Sequence, residues 1–534
     1  MRNFFMTFKD LLVPSKKAAA GGLLFAVFFL LYGFTQDRIY AFDSLLYALA
    51  IRRPLSGMMI TTILSPNHFL WLPFLRCFFI GLKSAGFTGD SYAAIQWLNT
   101  GMGALLITAV YGFLAKFIHR NWALLIACLA GFSHVIWLRA TGGDPYLTGT
   151  LLSVAVCYLL TARSAEPGMP LLAGIALMGG MAISLHIANL VLLPIIALVI
   201  AGRRSRQNWL NVVFFLFLSG VILLPYVLFY DLTKLAGLKE WLTWGSGQVN
   251  GQVPGESASG QFDLHFLKTI PIGFSTLAQS LAALPANDLV LRLLAMTLAG
   301  SVCARGMINR AQRRLDRAVV LPPLVFFIGI TVFFCVWLPG NLFYWASPLV
   351  FFVLSSSLIF SPQLQSPPNL LMRAAAGFFI LSLGFLNFHR VIQPNREGAE
   401  AKPLLELCET LKRTTPSSSA ILISGHSSGF LKVAIPYFAQ RQMLSLDLLI
   451  IQYYGTGQDP LLVYQTRVNA YLKKGVPVYM LGDILLARGE FGAWGISADR
   501  IEAVLRSYKL TEVARLSLVD PGVLYRVEMS RGRS

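Results

Sequence analysis

Residues 16–54 read KKAAAGGLLFAVFFLLYGFTQDRIYAFDSLLYALAIRRP. The first half, Ala18 to Phe34, is an unbroken apolar run behind Arg2, Lys9, Lys16 and Lys17. A basic leader before an apolar run also describes a signal peptide, but no small-residue cleavage site follows, which favours a retained first span. In the second half, Phe42, Leu45, Leu46, Leu49 and Ala50 fall at i, i+3, i+4, i+7 and i+8. That spacing predicts a helix with one apolar face, suited to lying on a membrane surface. A span that hands over to a surface helix, rather than turning straight back, is the pattern from which the rest of the chain is read.

The 534 residues are 55% apolar and only 13% charged, with a mean hydropathy of +0.62. Soluble proteins carry about 25% charged residues, so an ordinary soluble enzyme is excluded. Further apolar runs lie near 91–115, 121–138, 145–162, 170–186, 188–202, 209–229, 283–304, 319–338, 342–360 and 372–389. With the first run they predict eleven spans from a cytoplasmic N-terminus. The net charge of +19 suggests nucleic acid only until its distribution is considered. Alternating spans put 16 basic and three acidic residues in the inside segments, against 11 and nine outside before residue 391. That is the positive-inside bias, so no nucleic-acid partner is expected. The six cysteines are scattered and show neither metal spacing nor a disulfide framework.

Two stretches test the parity. Phe69 to Leu82 is apolar but short and broken by Pro73 and Arg76, which fits an interfacial or re-entrant helix. The 33 residues of 170–202 must go down and back, with a turn near His186 and Asn189. From Gln393 onward the composition becomes soluble: a helix near 402–413, strand 420–425, helix 429–440, strand 444–452, helix 459–474, strand 476–482, helix 497–507 and two closing strands. The expected architecture is therefore a polytopic α-helical membrane domain, 1–392, with a long external loop at 35–90. A soluble extracytoplasmic α/β domain, 393–534, follows, and its loops suit recognition of an acceptor.

Asp43 sits in the first turn of the amphipathic helix, and Arg52 and Arg53 end it. These are natural partners for a helix dipole, or equally a carboxylate base with cations for a phosphate. Asp144, in LRATGGDPYLTGTLL, precedes Pro145 where the fourth span begins, and Arg139 is close by. An Asp before a first-turn Pro is a good helix cap, yet two carboxylates at helix starts on one membrane face also resemble a site. His68, in ILSPNHFLWLPF, opens the re-entrant segment as an interfacial residue or a ligand.

In this order the segments resemble the GT-C membrane glycosyltransferases, in the branch of the protein O-mannosyltransferases and the lipid A aminoarabinose transferase. YAFDSLLYALAI is similar to their first external loop, with Asp43 at the catalytic position. GGDPYLTGTLL is similar to the acidic start of their fourth span, with Asp144. GGMAISLHIANLVLLP matches in outline a Gly-rich span and its turn, with His186 where that family has Lys. NLFYWASPLVFF supplies Tyr344, and SPNHFLW is similar to a His-Pro-x-His pattern of bacterial relatives. Ser44 stands where the mannosyltransferases have a second acidic residue.

The resemblance implies a hexosyl- or pentosyltransferase that moves a sugar from a polyprenyl-phosphate donor to a hydroxyl on a lipid, glycan or protein. Asp43 would be the base, Asp144 its catalytic companion, and Arg52, Arg53, His68, Arg139, His186 and Tyr344 the phosphate contacts. It implies a bacterial inner membrane with a periplasmic C-terminal domain. No metal or other cofactor is expected, because a lipid phosphate is a competent leaving group. The rival class is a transporter or flippase of lipid-linked substrates, which would show inverted repeats or ionisable groups at the bilayer midplane; neither is evident. GHSSG at 425–429 fits a hydrolase nucleophile elbow, but no His lies downstream of Ser427 to complete a triad in that order.

Overall fold

In a computed structural model, the structure describes residues 16–52, 69–162, 168–201, 206–229, 265–283, 317–337, 341–399, 401–424, 430–453, 457–486, 491–492, 495–516 and 522–530. They form two compact units. The larger comprises Met1–Asp37, Leu55–Gly251 and Ala258–Glu397, while the smaller gathers Arg38–Pro54 and Gln252–Ser257 with Gly398–Ser534.

The larger unit is helical. The helices are α1 Lys16–Phe34, then α2 Phe42–Arg52 (which belongs to the smaller unit), α3 Trp71–Ser84, α4 Ser91–Leu114, α5 Arg120–Gly131, α6 His134–Thr141, α7 Tyr146–Ala162 and α8 Met169–Leu185. A 3₁₀ turn, Ile187–Val191, leads to α9 Leu192–Ala201 and α10 Arg206–Phe229. There follow α11 His265–Leu281, α12 Arg317–Trp337, the 3₁₀ turn Leu342–Tyr344, α13 Ala346–Ile359 and α14 Leu370–Asn387. Apart from α2 and α3, most of these helices form because their sequences are long apolar runs, and they bury a shared core that includes Phe28, Tyr32, Phe113, Trp137, Phe215, Phe326, Trp345 and Phe351. Their outer faces remain apolar: Leu23, Phe34, Val213, Phe217, Phe378 and Phe385 are all well exposed. An apolar surface on this scale is stable against lipid, not water.

Eleven spans is more than length and composition deliver among the described residues. Two helices are long and apolar enough to cross a membrane, Ser91–Leu114 and the run opening at Leu370. The pair α5 and α6, bent by 63°, makes a third if it is one span. Seven more apolar helical stretches of 10–17 residues fall below that test, although two of them lie inside longer helices, α10 of 24 residues and α12 of 21. The expected span at 283–304 lies outside the described residues but for its first position. Helix α11 falls inside the expected external segment 230–282. The short segment near Phe69 forms the 14-residue α3, and the 170–202 stretch forms a short helix pair turning at His186.

The smaller unit carries α15 Lys402–Thr414, β1 Ala420–Ile423, α16 Leu431–Ala434 continued by a π-helical turn Ile435–Ala439, and β2 Gln442–Ser445. Next come α17 Leu446–Tyr453, α18 Pro460–Lys473, β3 Val478–Leu481, α19 Ala498–Leu505, β4 Tyr508–Arg515 and β5 Val523–Met529. The sheet order is β2-β1-β3-β5-β4, with the first three strands parallel and β5 antiparallel to both neighbours. Ser424 donates through its backbone N–H and its hydroxyl to Asp483 Oδ2 (3.0 and 2.7 Å), tying the ends of β1 and β3 together. The run 444–452, expected as a strand, is strand only to Ser445 and helix from Leu446; an unbroken apolar run fits either state.

Candidate functional site

Within the larger unit, α4 carries a polar stripe. Tyr92, Gln96, Asn99 and Thr100 fall at i, i+4, i+7 and i+8, so they share one face of an otherwise apolar helix. All four are buried, and all bond to the chain segments where the acidic residues lie. Gln96 Nε2 donates to Thr141 O (2.9 Å), Asp37 O (2.8 Å) and Asp37 Oδ1 (3.2 Å). Asn99 Nδ2 donates to Gly142 O (3.0 Å) and Asp144 O (2.8 Å), and Thr100 Oγ1 to Ala140 O (3.1 Å). One helix face therefore fixes the loop after α1 and the bend between α6 and α7 in a single register.

That bend brings two carboxylates and one guanidinium together. Arg139, at the end of α6, pairs with Asp144, and both side chains are almost fully buried. Arg139 is also within electrostatic reach of Asp37, Tyr92, Tyr146 and Tyr344. Asp37 is buried, accepts from Tyr92 Oη (3.3 Å), and its N–H donates to Thr141 O (3.3 Å). Burial raises its pKa to about 7, against the opposing pull of Arg139 and the bonds from Tyr92 and Gln96. Gly142 lies against this carboxylate: a Cβ there would stand 3.1 Å from Asp37 Oδ2, a tight contact that the oxygen could relieve only by shifting a few tenths of an ångström.

Three rings close the other side. Tyr146 lies 5.1 Å from His186 and 5.0 Å from Tyr344, centroid to centroid, and His186 lies 5.4 Å from Tyr344, which also stacks on Phe334. Thr150 and Ser347 share a hydroxyl–hydroxyl bond of 2.6 Å that links α7 to α13 just beyond Tyr146 and Tyr344. Helix starts and ends from α6, α7, α8 and the Leu342–Tyr344 turn thus converge on one polar cluster. A buried guanidinium with phenols in electrostatic reach, two of them packed on an imidazole, can stabilise negative charge as it develops.

Of the residues expected from sequence, Arg139, Asp144, His186 and Tyr344 are brought together here. Asp43 and Arg52 lie on α2 in the smaller unit. The Asp43 side chain keeps open surface, while the protein around it raises its carboxyl pKa by desolvation. Arg53, His68 and the GHSSG motif at 425–429 lie outside the described residues. The sequence reading passed over Asp37, Tyr92, Gln96, Asn99 and Tyr146, although four polar residues on one face of an apolar helix were a usable signal.

The model of the protein O-mannosyl-transferase TMEM260 N-terminal domain matches residues 67–209, the stretch holding Arg139, Asp144 and His186. The whole chain is similar to the crystal structure of ArnT from Cupriavidus metallidurans bound to undecaprenyl phosphate. The TM-score is 0.57 at 10% identity, over 94% of this chain and 97% of that one. The apo form of ArnT gives 0.55 at 11% identity over the same shares. An oligosaccharyltransferase from Archaeoglobus fulgidus, in complex with Zn and sulfate, gives 0.51 at 13% identity over 92% of this chain and 71% of that one. No curated protein matches by sequence. The family model thus covers residues 67–209 of the 534, and the solved structures share the fold of this chain.

Proposed function

We propose that the protein transfers a hexose or pentose from a polyprenyl-phosphate donor to a hydroxyl acceptor at the outer face of a bacterial inner membrane, with inversion at the anomeric carbon. The observation that carries this reading is the convergence of Arg139, Asp144, Tyr146, His186 and Tyr344 where several helix ends meet. Such a cluster suits a leaving phosphate, and the similarity to an ArnT structure containing undecaprenyl phosphate supports a lipid-phosphate donor. Arg52, Arg53 and His68 are further phosphate contacts in this reading.

Asp43 takes the acceptor's hydroxyl proton as its oxygen attacks the anomeric carbon. The bond from that carbon to the phosphate oxygen breaks in the same displacement, and the polyprenyl phosphate departs carrying the electron pair. Arg139 and the ring cluster hold the negative charge that appears on the phosphate. Asp144 keeps the guanidinium in place. The leaving phosphate is stable as an anion, so the reaction calls for no metal.

The test uses native membranes, which hold the acceptor, and an undecaprenyl-phosphate-linked hexose, and follows release of undecaprenyl phosphate. Asp43→Asn should abolish release with folded protein retained, because an amide cannot accept the proton. Turnover near the wild-type rate in that variant would remove Asp43 from the mechanism.

A further inference from the structure

We propose that the C-terminal α/β domain is the frame that holds α2, and with it Asp43, in working position. The proposal rests on the reading of Asp43 as the base. The periodicity of α2 suits a helix lying on a membrane with one face buried. The structure departs from this: Tyr47, Ala48, Leu49, Ala50 and Ile51 are all buried at 5% exposure or less, as are Ser44 and Leu45. Five consecutive buried positions go right round a helix, so protein encloses α2 on more than one side.

Part of that protein is the C-terminal domain. Arg38–Pro54 and Gly398–Ser534 fall in one compact unit, in which α2 packs on α16 and on the π-helical turn Ile435–Ala439. Two anchors precede the helix. The Tyr40 ring stands edge-on to Phe438, with centroids 4.9 Å apart and planes at 72°, and Phe438 stands edge-on to Tyr437 in turn. Aromatic pairs of this geometry add specificity to burial. The second anchor is a backbone crossing at Gly398, where the domain begins. Gly398 has φ +66°, and a Cβ built there would fall 2.9 Å from the Cβ of Arg38. Glycine is required twice over, once by the left-handed backbone and once by the approach of Arg38.

The crossing sits five residues before Asp43, so a displacement at Arg38 is passed to the start of α2. A misplacement of about 1 Å in a catalytic group lowers turnover by up to roughly a hundredfold. Neither Arg38 nor Gly398 belongs to the catalytic or binding set, which makes them clean handles.

Gly398→Ala inserts the methyl group against Arg38. In the full-length protein we expect kcat for undecaprenyl phosphate release to fall roughly tenfold or more, with the donor KM little changed. Amide exchange over residues 42–52 should quicken in step. Arg38→Gly placed in the same chain removes the opposing Cβ and should restore part of both signals, the strain of an alanine at φ +66° remaining. Wild-type kcat in Gly398→Ala overturns the proposal, and so does a double variant no better than the single one. Should Gly398→Ala fail to fold, Phe438→Ala carries the same expectation by removing the partner of Tyr40, and wild-type kcat there overturns it equally. Asp43→Asn is assayed alongside: full turnover in that variant overturns the base assignment itself, a result separable from any effect at Gly398.

Discussion

Arg139 and Asp144 form a buried ion pair across the bend between α6 and α7, five residues apart in the chain. Removing two charges from water costs several kcal/mol per ion, and a pair recovers this only with good geometry and further hydrogen bonds. Here the backbone around Asp144 is also held, by Asn99 from α4. The pair is a fixed element of the cluster.

Breaking the pair from one side should therefore cost both fold and function. Asp144→Asn leaves a lone buried guanidinium, and a destabilisation of about 3–5 kcal/mol is expected in thermal unfolding of the purified protein. Replacing both partners, as Arg139→Met with Asp144→Leu, should recover most of the stability while transfer stays lost. A double variant that regained transfer would show that the pair is structural and nothing more.

Asp37 makes the protein's stability fall as pH rises. Its folded pKa of about 7 lies above the unfolded value of 3.8, so the folded state holds a proton that the unfolded state releases. The stabilisation is complete below the unfolded pKa and is lost as pH climbs towards 7, over a range worth up to roughly 4 kcal/mol. Arg139, Tyr92, Gln96 and, through Arg139, Asp144 are the groups that face it. Melting temperatures between pH 4 and 8 should slope downward in the wild type and flatten in Asp37→Asn. An equal slope in both would assign the dependence to another group.

Much of this arrangement is legible in the sequence, and the exceptions have physical causes. Long apolar runs fix most helices, because one residue type in a row of 17 or more admits little else. Asp144, His186 and Tyr344 stand out because each sits at the end of such a run. Asp37 does not, since carboxylates draw attention at helix starts and it lies in a loop; only its contacts with Tyr92 and Gln96 give it meaning. The burial of α2 is likewise invisible to periodicity, because Tyr40 meets Phe438 from almost 400 positions away. At Leu446 the unbroken apolar run carried no period to separate helix from strand, and packing decided.

Tyr344 tests the ring cluster without disturbing it. Its ring packs on Tyr146, His186 and Phe334, so Tyr344→Phe should keep the fold and the melting temperature. A hydroxyl donating to an ionised phosphate contributes about 1.5–3 kcal/mol. Binding of undecaprenyl phosphate to the purified variant should weaken by roughly tenfold or more. An unchanged Kd would take the Tyr344 hydroxyl out of the phosphate site.

The orientation of the chain is a further expectation, and it follows from charge alone. Segments with many Lys and Arg resist translocation, and acidic residues do little to offset them. The segment 305–317 holds Arg305, Arg310, Arg313, Arg314 and Arg317 against the single Asp316. A reporter active only in the cytoplasm should therefore work when inserted at Arg310. From there the expected spans near 319–338, 342–360 and 372–389 are odd in number, so a reporter fused after Ser534 should lie on the opposite side. On this expectation the C-terminal domain lies outside, on the face where transfer is proposed. Cytoplasmic activity from the Ser534 fusion would reverse the placement of the domain, and with it the face on which transfer is proposed to occur.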